Sequence, residues 1–148
     1  MGDPAGIGGE IILKSLPSLG KKNIPVIVGD LSVIDASCRF LGAKSALHFK
    51  RLGEGTSGDA EFVDMKIIKN PRFGVPDPIY GEASYNYIIE ALKLLFAGEV
   101  SAIVTCPINK KSINSAGIQF IGHTELLAHF GGVDEYVMMM ANRAMRVS

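Results

Sequence analysis

Short apolar runs alternate with segments of helical spacing along this chain, and no other feature of the sequence limits the fold as strongly. Five runs are predicted to be strands, namely "NIPVIVGD", "ALHFKRL", "FVDMKII", "VSAIVTCP" and "EYVMMMAN". The last two are nearly all apolar, which predicts strands that are buried on both faces of a parallel sheet. Strands alternating with helices indicate an α/β layered fold.

Helical spacing separates these runs. It is clearest in "GEIILKSL", "LSVIDASCRFLG" and "GEASYNYIIEALKLLFAG", and Gly42 and Gly98 are predicted to end the second and third of these helices. "INKKSINSAG" and "HTELLAHFGG" predict two shorter helices or turns. The segment from Asn70 to Pro78 holds three prolines and a glycine, so we expect a loop or arm there.

Composition narrows the classes of function. A chain of 148 residues with 47% hydrophobic residues can bury one proper core. The charges of fifteen basic and fifteen acidic side chains cancel, so the chain lacks the excess of positive charge that is typical of nucleic-acid-binding proteins. Any anionic ligand must therefore be bound at a local site. Cys38 and Cys106 form neither a disulfide framework nor a zinc pattern, and no signal peptide or membrane span is visible. We therefore expect a cytoplasmic protein.

The opening "MGDPAGIGGEIILKSL" is a glycine-rich turn that runs into a helix. Loops that hold phosphates in this way normally follow a strand, yet only Met1 precedes Gly2. The spacing also differs from the dinucleotide fingerprint G-x-G-x-x-G. Asp3 is a candidate ligand-binding residue because its carboxylate can accept hydrogen bonds from hydroxyls; the alternative is a structural turn with Asp3 as a local cap.

Two further candidate sites follow predicted strands, where ligands bind in open α/β sheets. Lys110 comes directly after "CPIN", with Asn114 nearby, and such residues hold phosphates or carboxylates unless they are simply solvated. In "GHTE", His123 titrates near neutral pH and Thr124 can cap the following helix. The alternative for His123 is a capping or packing role. Three dispersed histidines predict no metal site complete within this chain.

Read together, "GDPAGIGGEI", "CPINKKSINSAGIQFIGHTE" and "YVMMMA" resemble the N-terminal half of the 4-hydroxythreonine-4-phosphate dehydrogenase (PdxA) family. The resemblance implies a three-layer αβα fold like that of isocitrate and isopropylmalate dehydrogenases, with two domains and a cleft completed in a homodimer. Family members carry a strand before the glycine loop and are more than twice as long. Residues 1–148 are therefore expected to be a partial N-terminal α/β region that lacks the first strand and the C-terminal half.

The resemblance also implies an activity. Members oxidise 4-phosphohydroxy-L-threonine with NAD, and the product loses CO2 on the route to pyridoxal phosphate. A divalent metal (Zn, Mg or Co) takes part, held by histidines that this chain does not contain. His123 and Thr124 match the family's substrate-binding pair, and Lys110 and Asn114 match polar residues of the same cleft. We expect the chain alone to be inactive, because hydride transfer needs all partners fixed together.

Two alternatives stay open at this point. Within the family, the alternative substrate is 4-phosphothreonate or 4-phosphoerythronate. The shared motifs do not distinguish these substrates, because the residues that recognise the non-phosphate end are not identifiable in this sequence. From another class, the chain is a non-catalytic binding or assembly domain that keeps the fold without the chemistry.

Overall fold

The computed structural model describes residues 1–19, 23–42, 49–56, 60–119 and 122–148. Two compact units are present, Met1–Ile118 and Gln119–Ser148. The first contains α1 (Gly8–Ser15), a 3-10 turn (Leu16–Ser18), β1 (Val26–Gly29), α2 (Leu31–Phe40), β2 (Lys50–Arg51), β3 (Glu61–Asp64), α3 (Pro78–Phe96) and α4 (Lys110–Ser115). The second contains α5 (His123–Gly131), β4 (Met140–Ala141) and β5 (Arg146–Val147).

A parallel sheet organises the first unit, with strand order β1-β3-β2. Val26 pairs with Glu61 and Gly29 pairs with Asp64, so β1 and β3 end together. The predicted α/β class is thereby confirmed. The predicted strand "ALHFKRL" is described only from Phe49 onward, because residues 43–48, including His48, lie outside the described residues.

Apolar side chains pack on both faces of β1. Val28 belongs to a buried cluster with Tyr80, Ala83 and Tyr87 of α3, whereas Ile27 packs with residues of α1 and α2. Successive strand residues point to opposite faces of a sheet, so neighbouring residues of β1 reach different clusters. Helices therefore cover the sheet on both sides. The second cluster comprises Leu13, Ile27, Ile34, Cys38 and Phe62.

The predicted strand "VSAIVTCP" is wrong. The structure has no regular element between the end of α3 and the start of α4, and Val104 is 93% exposed. The Asp3 N–H donates to the Pro107 carbonyl at 2.9 Å, but the described part of the chain supplies no ladder of such bonds to residues 100–107. Apolar composition favours a strand, but only a paired neighbour makes one.

The prediction of a buried strand at "EYVMMMAN" is also wrong. Only Met140–Ala141 is a strand, paired antiparallel with Arg146–Val147, and residues 135–142 are exposed throughout. The cause is the small size of the second unit, whose described residues do not cover this segment on either face. Among the described residues, no helix combines the length and the apolar character needed to cross a membrane.

Loop and helix boundaries agree with the sequence. Residues 65–77 contain no regular element, as predicted for the proline-rich segment. Helix α3 begins at Pro78, and the Asp77 carboxylate accepts a hydrogen bond from the Ile79 N–H at 2.9 Å. Gly42 and Gly98 follow α2 and α3 with φ of 62° and 76°, the left-handed conformation that ends helices.

Helix α3 packs closely against α4. A Cβ atom added at Gly81 would overlap the Ser112 carbonyl and the Ile113 nitrogen, so the two backbones meet where only glycine fits. Ile113 is fully buried. Ser84 and Ser112 are buried at 1% and 2% exposure, and within the described residues neither hydroxyl has a hydrogen-bond partner.

We expect Ser84→Ala to increase the stability of the chain. Burying a hydroxyl without a partner costs about 1–3 kcal/mol, and alanine removes that cost while also favouring the helix. Ser37→Ala is the matched control, because Ser37 is equally buried in α2 but donates to the Val33 carbonyl at 2.8 Å. Urea unfolding checks the prediction. Equal midpoint shifts in both variants would mean that helix propensity alone is responsible.

Candidate functional site

Asp3 lies in the glycine loop, residues 2–8, and is 8% exposed. One carboxylate oxygen accepts a hydrogen bond from the Ala5 N–H at 2.9 Å, and the Asp3 carbonyl accepts one from the Gly6 N–H at 3.0 Å. Burial raises the pKa of the Asp3 carboxyl above its ordinary value, while the bond from Ala5 acts in the opposite direction. These two bonds within the loop are what the alternative interpretation of Asp3, a local cap in a structural turn, predicts. A role of Asp3 in ligand binding stays a prediction.

The glycines of this loop allow close approach of protein backbone. A Cβ atom at Gly2 would overlap the Pro107 carbonyl oxygen, and one at Gly8 would overlap the Met1 carbonyl oxygen. Glycine is therefore needed at these two positions for packing against the chain's own backbone.

Helix α4 presents the second candidate pair. It is capped by Asn109, whose side chain accepts from the Ser112 N–H at 3.2 Å. Ile113 anchors the helix in the interior, whereas Lys110 and Asn114, four residues apart on one helix face, are exposed. Lys111 is exposed as well, so neither lysine points into the interior.

The glycine loop and the start of α4 are neighbours within the first unit. The bond from Asp3 to Pro107 places the loop three residues before Lys110 along the chain. Cys106 lies beside Gly8 and is half-buried, as expected for a small packing residue. The structure thus brings the regions of Asp3 and Lys110 together, although the sequence placed them more than 100 residues apart.

His123 and Thr124 belong to the second unit, where they are the first two residues of α5. Both are half-buried, and the His123 Nε2 atom is shielded from solvent. The prediction that Thr124 caps this helix is wrong, because the cap residue is Gly122, whose extended backbone precedes the first helical residue. Thr124 already lies inside the first turn. Its hydroxyl is therefore not needed at the cap position.

The described residues contain no group of three or more His, Cys, Asp or Glu side chains that could hold a metal ion. The donor set that a divalent metal requires is thus not found in this part of the chain. We assign no chemical step to a metal here.

A buried polar cluster at the end of β1 was missed in the sequence. Asp30 is 1% exposed, and its two carboxylate oxygens accept hydrogen bonds from the N–H groups of Ile67 and Ile68 at 2.8 and 2.9 Å. The Tyr87 hydroxyl donates to the same carboxylate. Burial, and then the bond to Asp30, raise the pKa of Tyr87 above its ordinary value. The sequence did contain a signal for this cluster, since Asp30 directly follows the strand "VIVG" and ligands in open α/β sheets bind beyond the carboxyl ends of the strands.

Comparisons with known proteins place these features in context. A family model described as "Pyridoxal phosphate biosynthetic protein PdxA" matches residues 21–148. A Desulfosudis oleivorans protein named 4-hydroxythreonine-4-phosphate dehydrogenase is 37% identical and covers 99% of this chain. A Clostridium botulinum protein provisionally named a D-threonate 4-phosphate dehydrogenase is 34% identical, also over 99% of the chain.

Solved structures agree with the sequence comparisons. The crystal structure of a 4-hydroxythreonine-4-phosphate dehydrogenase from Burkholderia phymatum is 34% identical and superposes with a TM-score of 0.87 over 99% of this chain. The Klebsiella pneumoniae enzyme of the same name gives 31% identity and a TM-score of 0.86. The chain spans 46% of each of these structures and 45% of the Desulfosudis protein, a little under half their length.

Proposed function

Since the chain belongs to the PdxA family, we propose that the complete protein is an NAD-dependent dehydrogenase that oxidises and decarboxylates 4-phosphohydroxy-L-threonine in pyridoxal phosphate biosynthesis. The observation that carries this proposal is the match over 99% of the chain to a relative named for that activity. Residues 1–148 supply the N-terminal α/β region of a two-domain enzyme. A cytoplasmic homodimer is part of the same proposal.

In the complete protein, a bound nicotinamide would accept a hydride from the carbon that bears the substrate hydroxyl, and the hydroxyl would lose its proton. The β-keto acid so formed loses CO2, leaving a phosphorylated amino ketone. Holding the substrate in one orientation is the contribution that residues of this chain can make. The described residues contain no group of three or more side chains that could hold a metal ion, and we assign neither cofactor to a residue of this chain.

The start of α5 is our proposed contact for the substrate phosphate. A helix N-terminus attracts anions through its N–H groups, and the cap residue of α5 is Gly122, which makes no side-chain cap bond to them. His123 and Thr124 occupy the first two positions of the helix, and both are half-buried. A half-buried imidazole and a hydroxyl add donors to those N–H groups. Lys110 and Asn114 are proposed as further polar residues of the substrate cleft.

His123→Ala in the complete gene product is expected to weaken binding of 4-phosphohydroxy-L-threonine. Loss of a hydrogen bond to a charged group costs about 1.5–3 kcal/mol, which corresponds to a roughly tenfold to hundredfold loss in affinity. Metal content should stay the same, because His123 is assigned to substrate. Steady-state kinetics and metal analysis on one preparation measure both quantities.

His129→Ala is the matched control, because His129 lies exposed in the last turn of the same helix. Thr124→Val should act in the same direction as His123→Ala, but more weakly, since threonine supplies only a neutral hydroxyl. If His123→Ala removes the metal, or leaves kcat/KM at the level of the control, the substrate assignment is wrong.

A second substrate is favoured by one specific observation. The Clostridium botulinum relative, named for D-threonate 4-phosphate, covers this chain as fully as the relative named for the amino acid phosphate. The two substrates share the phosphate and differ in the group at the other end. Comparing kcat/KM for both on the complete protein decides between them, and no turnover of either would favour the non-catalytic alternative.

A further inference from the structure

Residues 70–77 form an irregular segment before α3, which we call the strap. Residues 72–76 are all exposed, yet two of their N–H groups are bonded to buried acceptors. The Arg72 N–H donates to the Tyr80 hydroxyl oxygen at 2.9 Å, and the Gly74 N–H donates to the Ala5 carbonyl at 2.8 Å. Tyr80 is 5% exposed and Ala5 is 6% exposed. The strap is therefore a surface segment fastened to the interior.

A third contact lies between these two bonds. The ring of Phe73 packs edge-on against the ring of Phe40, with 5.9 Å between the ring centroids. Phe40 is the last residue of α2. Three consecutive strap residues are thus attached to three different elements, namely α3, α2 and the glycine loop.

The contact with the glycine loop reaches a candidate site residue. Ala5 accepts the strap bond through its carbonyl, and its own N–H donates to the Asp3 carboxylate at 2.9 Å. The peptide units on both sides of Ala5 thus take part in hydrogen bonds, one with the strap and one with Asp3. The backbone that orients Asp3 is connected to the strap through a single residue.

We propose that the strap is a latch, which opens as one unit and whose opening releases the glycine loop around Asp3. Its three contacts fall on adjacent residues, and Pro71 and Pro76 stiffen the backbone on either side of them. Residues 72–76 are exposed and belong to no helix or strand, so opening costs less than unfolding the sheet. The proposal goes beyond the proposed function, because it concerns the chain itself and holds whichever substrate the complete protein uses.

Two variants loosen the latch at opposite ends. Tyr80→Phe removes the acceptor of the Arg72 N–H and keeps the buried ring. Gly74→Ala strains the backbone at a φ of 76° without a clash, because nothing lies within 4 Å of the added Cβ. If the strap opens as one unit, each variant must accelerate amide hydrogen exchange at both ends of the strap. The reason is that both variants shift the same equilibrium between the closed and the open strap.

Amide hydrogen exchange of the chain, followed by NMR, tests the proposal. We expect each variant to accelerate exchange about twofold to tenfold at residues 72 and 74, and at Ala5 and Gly6 in the glycine loop. Tyr85→Phe and Gly98→Ala are matched controls; Gly98 has the same φ of 76° and equally open space, but lies at the other end of α3. Neither control should change exchange in the strap.

The Met65 N–H reports on the sheet, because it donates to the Gly29 carbonyl at 2.8 Å. Its exchange should not change in either variant. If each variant accelerates only its own end, if the glycine loop does not respond, or if Met65 accelerates equally, the strap is not a separate cooperative unit. Each of these results would overturn the proposal.

Discussion

Gly81→Ala is expected to destabilise the chain by about 2 kcal/mol or more, although alanine is the better helix former. Helix propensity alone predicts a gain of about 1 kcal/mol for this change. The added Cβ, however, would overlap the Ser112 carbonyl and the Ile113 nitrogen, which are backbone atoms of α4 and cannot rotate away. The clash therefore outweighs propensity, and urea unfolding should show a lower midpoint.

Gly131→Ala in α5 is the matched control for this prediction. A Cβ at Gly131 would meet only a Val133 methyl group at 3.7 Å, an ordinary contact. That variant should be neutral or slightly more stable. A gain in stability for Gly81→Ala would mean that α3 and α4 are not in the contact described here.

Asp30→Ala is expected to cost about 3 kcal/mol, because it leaves the buried Ile68 N–H and the part-buried Ile67 N–H unpaired, and a buried unpaired group costs about 1–3 kcal/mol. The carboxylate accepts from Ile67 and Ile68, which fixes the chain after β3, and from Tyr87 of α3. Its removal releases both attachments at once. The midpoint of urea unfolding and the exchange rates of the Ile67 and Ile68 amides measure the effect.

Asp64→Ala is the matched control for Asp30. The Asp64 carboxylate accepts from the Leu31 N–H at 3.2 Å near the surface, at the start of the same helix. Loss of such a cap costs about 0.5–2 kcal/mol. Equal losses for the two variants would contradict the role of Asp30 as a central acceptor.

The pH dependence of stability gives an independent measure of the same cluster. Burial first, and then the bond to Asp30, raise the pKa of Tyr87 above its ordinary value of 10.0. A raised pKa contributes stability that is fully present below pH 10 and is lost at higher pH, because the unfolded tyrosine releases its proton first. Tyr87→Phe should therefore flatten the alkaline decline in stability. An unchanged decline would show that Tyr87 is not buried against Asp30.

The sequence by itself determined the helices and their ends. Apolar spacing located α1, α2 and α3, and Gly42 and Gly98 marked two helix ends, because the signals for a helix lie within a few residues of one another. The motif from Lys110 to Glu125 likewise identified the family without any coordinates, since its residue types stand in fixed order.

Only the tertiary structure decided which segments became strands and which buried polar groups found partners. Residues 100–107 have the composition of a buried strand, but none of them is buried or paired in a sheet, because pairing depends on a distant neighbour that no local pattern encodes. Gly81 looked like an ordinary helical residue until α4 was placed against it. The role of Asp30 was not predicted from the sequence, because its carboxylate accepts hydrogen bonds from Ile67, Ile68 and Tyr87, which lie 37 to 57 residues further along. Such contacts join residues far apart in sequence, so they exist only once the chain has folded.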